Sequence, residues 1–165
     1  MNKQLKIVFT ALLVSISTCV IADDIKVQNT YIQLNAGVGI KSGDNVAALK
    51  LAAGFDLNKY LGIEGGVIGL VDLFDTDYDI LYLSLVARHV ISEKLTLAGK
   101  AGITSWNSTY TPIFSSAITK KNGTSGMVGA DLKYDFSKKF AGLLSVEYFG
   151  GTNTVPITAG LRYTF

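Results

Sequence analysis

His89 is the only histidine and Cys19 the only cysteine among 165 residues. A zinc site needs several nitrogen or sulfur ligands, and a nucleophilic site needs a base within hydrogen-bond reach. His89 is followed by Val90 and Ile91 and has no such partner in the pattern. It reads as a polar ring at a membrane rim, and the chain is expected to be no enzyme, without metal or cofactor. The acidic run Asp72, Asp75, Asp77 and Asp79 offers oxygen ligands of the kind calcium takes. It lacks the glycine and closing glutamate of an EF-hand loop, so a solvated loop is the plainer reading. Gly37-Val38-Gly39 and Gly65-Gly66 are not phosphate cradles, because no strand-to-helix switch follows them. Asn107-Ser108-Thr109 and Asn122-Gly123-Thr124 match the glycosylation pattern and read as loop polarity.

The elements that would carry any site are strands. Alternation with period two recurs in runs of about ten residues, the length a tilted strand needs to cross a bilayer. The runs cover residues 31–40, 49–57, 61–71, 81–88, 95–104, 128–136, 140–148 and 155–165. Ile32, Leu34, Ala36, Val38 and Ile40 oppose Gln33, Asn35, Gly37 and Gly39; Leu49, Leu51, Ala53 and Phe55 oppose Lys50, Ala52, Gly54 and Asp56. The same division sets Leu81, Leu83 and Leu85 against Tyr82, Ser84 and Arg88, and Leu144, Val146 and Tyr148 against Ser145 and Glu147. Asn58-Lys59, Ser92-Glu93 and Ser137-Lys138-Lys139 are tight turns, whereas residues 41–47, 72–79, 107–124 and 150–154 are the other, mostly longer, connections. Eight runs with short turns on one rim predict an all-β, eight-stranded antiparallel up-and-down transmembrane β-barrel, with the tight side periplasmic.

The polar set decides which face meets solvent. A water-soluble barrel would turn it outward, yet it holds only a few charged and amide residues among many glycines. Such a face suits a narrow lumen, with the apolar set against lipid. Tyr60, Tyr134, Phe136, Tyr163 and Phe165 then edge the periplasmic side of the lipid belt.

Both ends fit export to that setting. Lys3 and Lys6, the apolar residues 7–20 and Val20-Ile21-Ala22 predict a cleaved signal peptide over residues 1–22, with the barrel domain over 23–165. Cys19 after Ile16-Ser17-Thr18 offers a rival lipid-attachment reading. Cleavage after Ala22 would leave no cysteine and hence no disulfide. Of fifteen basic residues, Lys3 and Lys6 leave with the signal, so thirteen face thirteen acidic ones. A near-neutral chain without a basic cluster argues against nucleic acid as a partner. At the other end Leu161, Tyr163 and Phe165 share one face and Arg162 and Thr164 the other, the pattern of a closing strand.

Residues 54–66, 91–102, 133–137, 146–148 and 161–165 resemble, in order and spacing, strands of small barrels of the outer-membrane protein A and X type. The resemblance covers nearly the whole chain after the signal. It implies a lumen filled by charged residues, here Glu64, Lys100, Glu147 and Arg162, with Arg88, Lys133, Asp56 and Asp131 nearby. It also implies an anchor, adhesin or very narrow pore in the cell envelope. The periplasmic cell-wall-binding domain of the longer members has no counterpart, so a tethering role is unsupported.

Two functions follow as expectations. The first is a monomeric outer-membrane scaffold or surface antigen with a plugged lumen, contacting lipid and lipopolysaccharide. The second is a porin-like channel for ions or small solutes. The closing strand is expected to engage the barrel-assembly machinery. Any host or cell-surface ligand is expected at the third long loop, where Tyr110, Ile113 and Phe114 stand beside Lys120 and Lys121. The competing reading places Trp106, Tyr110 and Phe114 in an outer aromatic girdle.

Overall fold

The computed structural model describes residues 29–41, 44–71, 76–110 and 119–165. Eight strands form one closed antiparallel barrel: β1 (Asn29–Lys41), β2 (Asp44–Asp56), β3 (Leu61–Val71), β4 (Thr76–Val90), β5 (Leu95–Tyr110), β6 (Thr119–Asp135), β7 (Phe140–Phe149) and β8 (Thr154–Thr164). Each strand pairs with its sequence neighbours, and β8 returns to β1 with Gln33 opposite Arg162 and Leu34 opposite Leu161. Closure leaves no sheet edge where the walls meet, the condition hydrocarbon imposes on a strand-built span. The bond that completes the seam comes from Phe165, whose N–H donates to Thr30 O at 3.0 Å.

The tight turns are built by short polar side chains that cap the backbone. Asn58 Oδ1 accepts the N–H of both Tyr60 and Leu61 at 2.8 Å. Ser137 Oγ accepts those of Lys139 and Phe140. Asn and Ser favour turns for this reason. At the opposite rim the β7–β8 turn holds Asn153 in the left-handed region, at φ 49°, a conformation asparagine tolerates.

The strands run further toward the loop rim than the alternation predicted. Of the expected loops 41–47, 72–79 and 107–124, residues 41, 44–47, 76–79, 107–110 and 119–124 lie on strands, and the rest fall outside the described residues. Asp77 and Asp79 of the acidic run lie on β4, while Asp72 and Asp75 fall outside the described residues. The reason is visible on β4–β6. Above Leu81, Ile103 and Val128 the outward positions become polar, with Asp79, Asn107 and Asn122 in one cross-strand row. Pairing continues there, but polar residues now face outward while Ile80 and Trp106 face the interior, so the apolar-outward alternation that marks the strands below is lost.

The outer surface is apolar below that row. Leu34, Leu49, Leu83, Leu85, Ile103 and Leu161 are all more than half exposed, whereas Lys50 and Glu64 inside are 0 % exposed. At the turn rim Phe140, Tyr163 and Phe165 form successive edge-on contacts at 5.1 Å, and Tyr134 meets Phe136 at 5.5 Å. Such edge-to-face geometry follows the ring quadrupole.

The interior has two layers, a charged one and an apolar one. Toward the loop rim Val46, Ile68, Leu70, Ile80, Tyr82, Met127 and Phe149 pack into an apolar cluster, with Tyr78 and Trp106 against it. An eight-stranded barrel is just wide enough for side chains to fill it, and here they fill it as a hydrophobic core does. The charges are confined to the middle and the turn-side half.

Candidate functional site

The charged layer centres on Glu64, carried inward by β3 between two glycine-flanked positions that leave it room. Gly66 packs so close to Ala52 and Tyr82 that a Cβ there would collide with both. Glu64 Oε1 accepts from Lys100 Nζ at 2.6 Å and from Tyr82 OH at 2.8 Å, and Lys50 Nζ lies 3.5 Å away. Glu64 Oε2 accepts from Tyr31 OH at 3.0 Å and faces Arg162 Nη2 at 3.6 Å. Lys100 also meets Asp131 Oδ2 at 2.6 Å, and Lys50 donates to Glu147 Oε1 at 2.5 Å. Three cations, Lys50, Lys100 and Arg162, thus interlock with three carboxylates, Glu64, Glu147 and Asp131. A charge withdrawn from water is tolerable only when it is paired and hydrogen-bonded in this way.

Arg162 is held from two further sides. It donates to Gln33 Oε1 through Nε at 3.2 Å and Nη2 at 2.9 Å, across the β8–β1 seam. Its guanidinium carbon sits 3.8 Å from the centre of the Tyr31 ring, a cation–π arrangement.

Of the charges expected to share the lumen, the structure gathers Glu64, Lys100, Glu147 and Arg162 into one cluster. Arg88 stands apart, paired with Asp56 at 2.7 Å. Lys133 likewise keeps to a pair of its own: it reaches both oxygens of Asp135 at 2.8 Å, two residues along its own strand. Its place near the turn rim puts it beyond reach of Glu64. Sequence reasoning left Lys50, Asp131, Tyr31 and Tyr82 out of the central set. Their strand parity marked them as inward-facing, but only closure of the wall brings them together.

The third-loop candidates are dispersed. Tyr110 and Lys120 lie at the ends of β5 and β6 rather than in a loop, and Lys121 is an exposed strand residue opposite Ser108. Ile113 and Phe114 lie outside the described residues, as do the signal segment 1–22 and Cys19. Trp106 corrects the girdle reading. It has the inward parity of Lys100 and Thr104 and packs against the interior cluster, lying over Gly123 and Gly151, where any Cβ would strike the indole. Leu161, Tyr163 and Phe165 all stand on the outer face of the closing strand. His89 is exposed on β4, and among the described residues no group of three His, Cys, Asp or Glu side chains could hold a metal.

The closed eight-stranded wall is matched in solved structures. The β-barrel domain of OprF from Pseudomonas aeruginosa superposes with a TM-score of 0.68 at 17 % identity, covering 83 % of this chain and 97 % of that one. The fold is that of the small eight-stranded outer-membrane barrels. Neisserial surface protein A gives a TM-score of 0.62 at 12 % identity, covering 83 % of this barrel's chain and 96 % of its own. Ail, the attachment invasion locus protein of Yersinia pestis, gives 0.60 at 17 %, covering 83 % and 97 %. Ail has also been solved in complex with the heparin analogue sucrose octasulfate. No protein-family model and no curated protein matches the sequence.

Proposed function

We propose that this chain is an integral outer-membrane barrel with a plugged lumen and a structural or surface-interaction role. The observation that supports the plug is the pair of buried clusters inside the wall, the Glu64 ion-pair cluster and the apolar cluster above it. Ions would have to break buried charge pairs and then cross a dry apolar layer. In this reading residues 1–22 are a cleaved signal, the tight turns face the periplasm, and the loop rim faces outward. The Leu161, Tyr163 and Phe165 face guides the assembly machinery, the barrel acts as a monomer, and no residue serves catalysis.

The surface role is supported by the polar outer row Asp79, Asn107 and Asn122, which lifts the β4–β6 wall above the lipid belt. It is supported also by the likeness to Ail, the attachment invasion locus protein. Residues 111–118, which join β5 to β6 in the chain, are the contact segment of choice. Replacing them with a short Gly-Ser turn should leave the barrel folded and abolish attachment to host cells or lipopolysaccharide. Attachment equal to the parent's would remove the surface role.

Planar-bilayer recordings test the plug. The refolded protein should give no steady current, and Glu64→Ala should admit brief openings. Large, steady currents from the parent would replace the plugged barrel with a narrow porin-like channel.

A further inference from the structure

Below the ion-pair cluster the barrel opens at its turn rim into a cavity of about 700 Å³. Its charge is unlike that of the balanced centre. Among the described residues, Lys59, Arg88, Lys94, Lys133, Lys138 and Arg162 line it, opposed only by Asp56, Glu93 and Asp135. Three positive charges are therefore in excess. Tyr31 and Arg162 line the cavity and also face Glu64, so it backs onto the closed centre rather than opening through it.

Two of the cations are held rigidly. Arg162 is fixed by Gln33 and the Tyr31 ring. The Arg88 side chain is 7 % exposed and packs against Gly62, where a Cβ would strike its guanidinium. Asp56 holds it by charge at 2.7 Å without hydrogen-bond alignment, and Arg88 Nη1 has no hydrogen-bond partner among the described residues. Lys94 and Lys138 are exposed at the rim and form no ion pair among the described residues. Fixed guanidiniums ringed by mobile ammonium groups suit an anion with several acceptor oxygens, because each oxygen can meet a separate donor. A single carboxylate would leave most of them unmet.

We propose that this turn-rim cavity binds a phosphate group, supplied by a phospholipid headgroup or by a free phosphate anion. The folded barrel in maltoside micelles, which carry no phosphate, is titrated calorimetrically with inorganic phosphate and, separately, with monomeric short-chain phosphatidylglycerol. Lys94→Gln combined with Lys138→Gln removes two exposed cations without touching the wall, and circular dichroism with gel mobility verifies its fold. At least one probe should bind saturably, about tenfold more weakly in the double variant, as loss of a charge-assisted contact implies. Added salt should weaken binding further. Binding of inorganic phosphate identifies the free anion as sufficient, and binding of the lipid alone identifies the headgroup. Saturable binding of neither probe, or equal binding by parent and variant, would overturn the proposal.

Discussion

Lys100 Nζ lies 2.6 Å from Glu64 Oε1, although β4 separates their two strands in the wall. The bond therefore crosses the interior, tying β5 to β3 from inside. It braces the barrel against collapse in the direction that backbone pairing cannot control. It also makes each partner dependent on the other, because neither charge can reach water.

Removing one charge should cost far more than removing a surface charge. Glu64→Ala leaves Lys50, Lys100 and Arg162 short of a carboxylate and is expected to lose about 3–5 kcal/mol, the usual cost of breaking a buried pair. Lys133→Ala, at the partly exposed rim pair with Asp135, should lose no more than about 1 kcal/mol. Urea unfolding of the micelle-embedded barrels measures both, and equal losses would deny the centre its bracing role.

Glycines on one strand should differ sharply by face. A Cβ at Gly102 would run into the backbone of Leu83 and Ser84, whereas one at Gly99 meets nothing within 4 Å. Gly102→Ala is expected to destabilise by about 1–3 kcal/mol, as overpacking does. Gly99→Ala should fold as the parent does. The check is the fraction folded at matched lipid concentration.

Trp106 is the sole tryptophan, so its fluorescence reports one place. Packed inside against the apolar cluster, it should emit at short wavelength and resist quenching by bromine-labelled lipid chains. Strong quenching by the labelled lipid would return it to the outer girdle.

Deleting Phe165 removes the N–H that bonds to Thr30 O and the ring that meets Tyr163 edge-on. The truncated chain is expected to reach the membrane in reduced amount, because the seam between β8 and β1 is left one bond short. Equal membrane yields of the two chains would argue against a special role for this residue.

The alternation was readable because the two faces of each strand meet media of opposite polarity. Leu81, Leu83 and Leu85 against Ser84 and Arg88 gave both the strand and its orientation. It failed where that contrast fails. On β2 and β3, Val46 to Leu49 and Val67 to Leu70 carry apolar or small residues on both faces, so the interior cluster left no periodic trace. Past the belt on β5 and β6, Ser105, Asn107, Asn122 and Thr124 face outward, so the pattern there reads as loop.

The sequence by itself determined the number of strands, their parity and the tight turns, since each depends on neighbours within a few residues. It thereby determined that Glu64, Lys100, Glu147 and Arg162 point inward. Which charge meets which is another matter. Lys133 shares the inward parity of Asp131, yet Asp131 joins Lys100 while Lys133 turns to Asp135. Trp106 shares the parity of Thr104, yet only the glycines at 123 and 151, brought alongside by pairing and by the β7–β8 turn, make a place for its ring. Height along the barrel axis decides these contacts, and height is set by the stagger of eight strands around a closed wall. A local pattern carries the face of each residue, but only tertiary closure assigns its level.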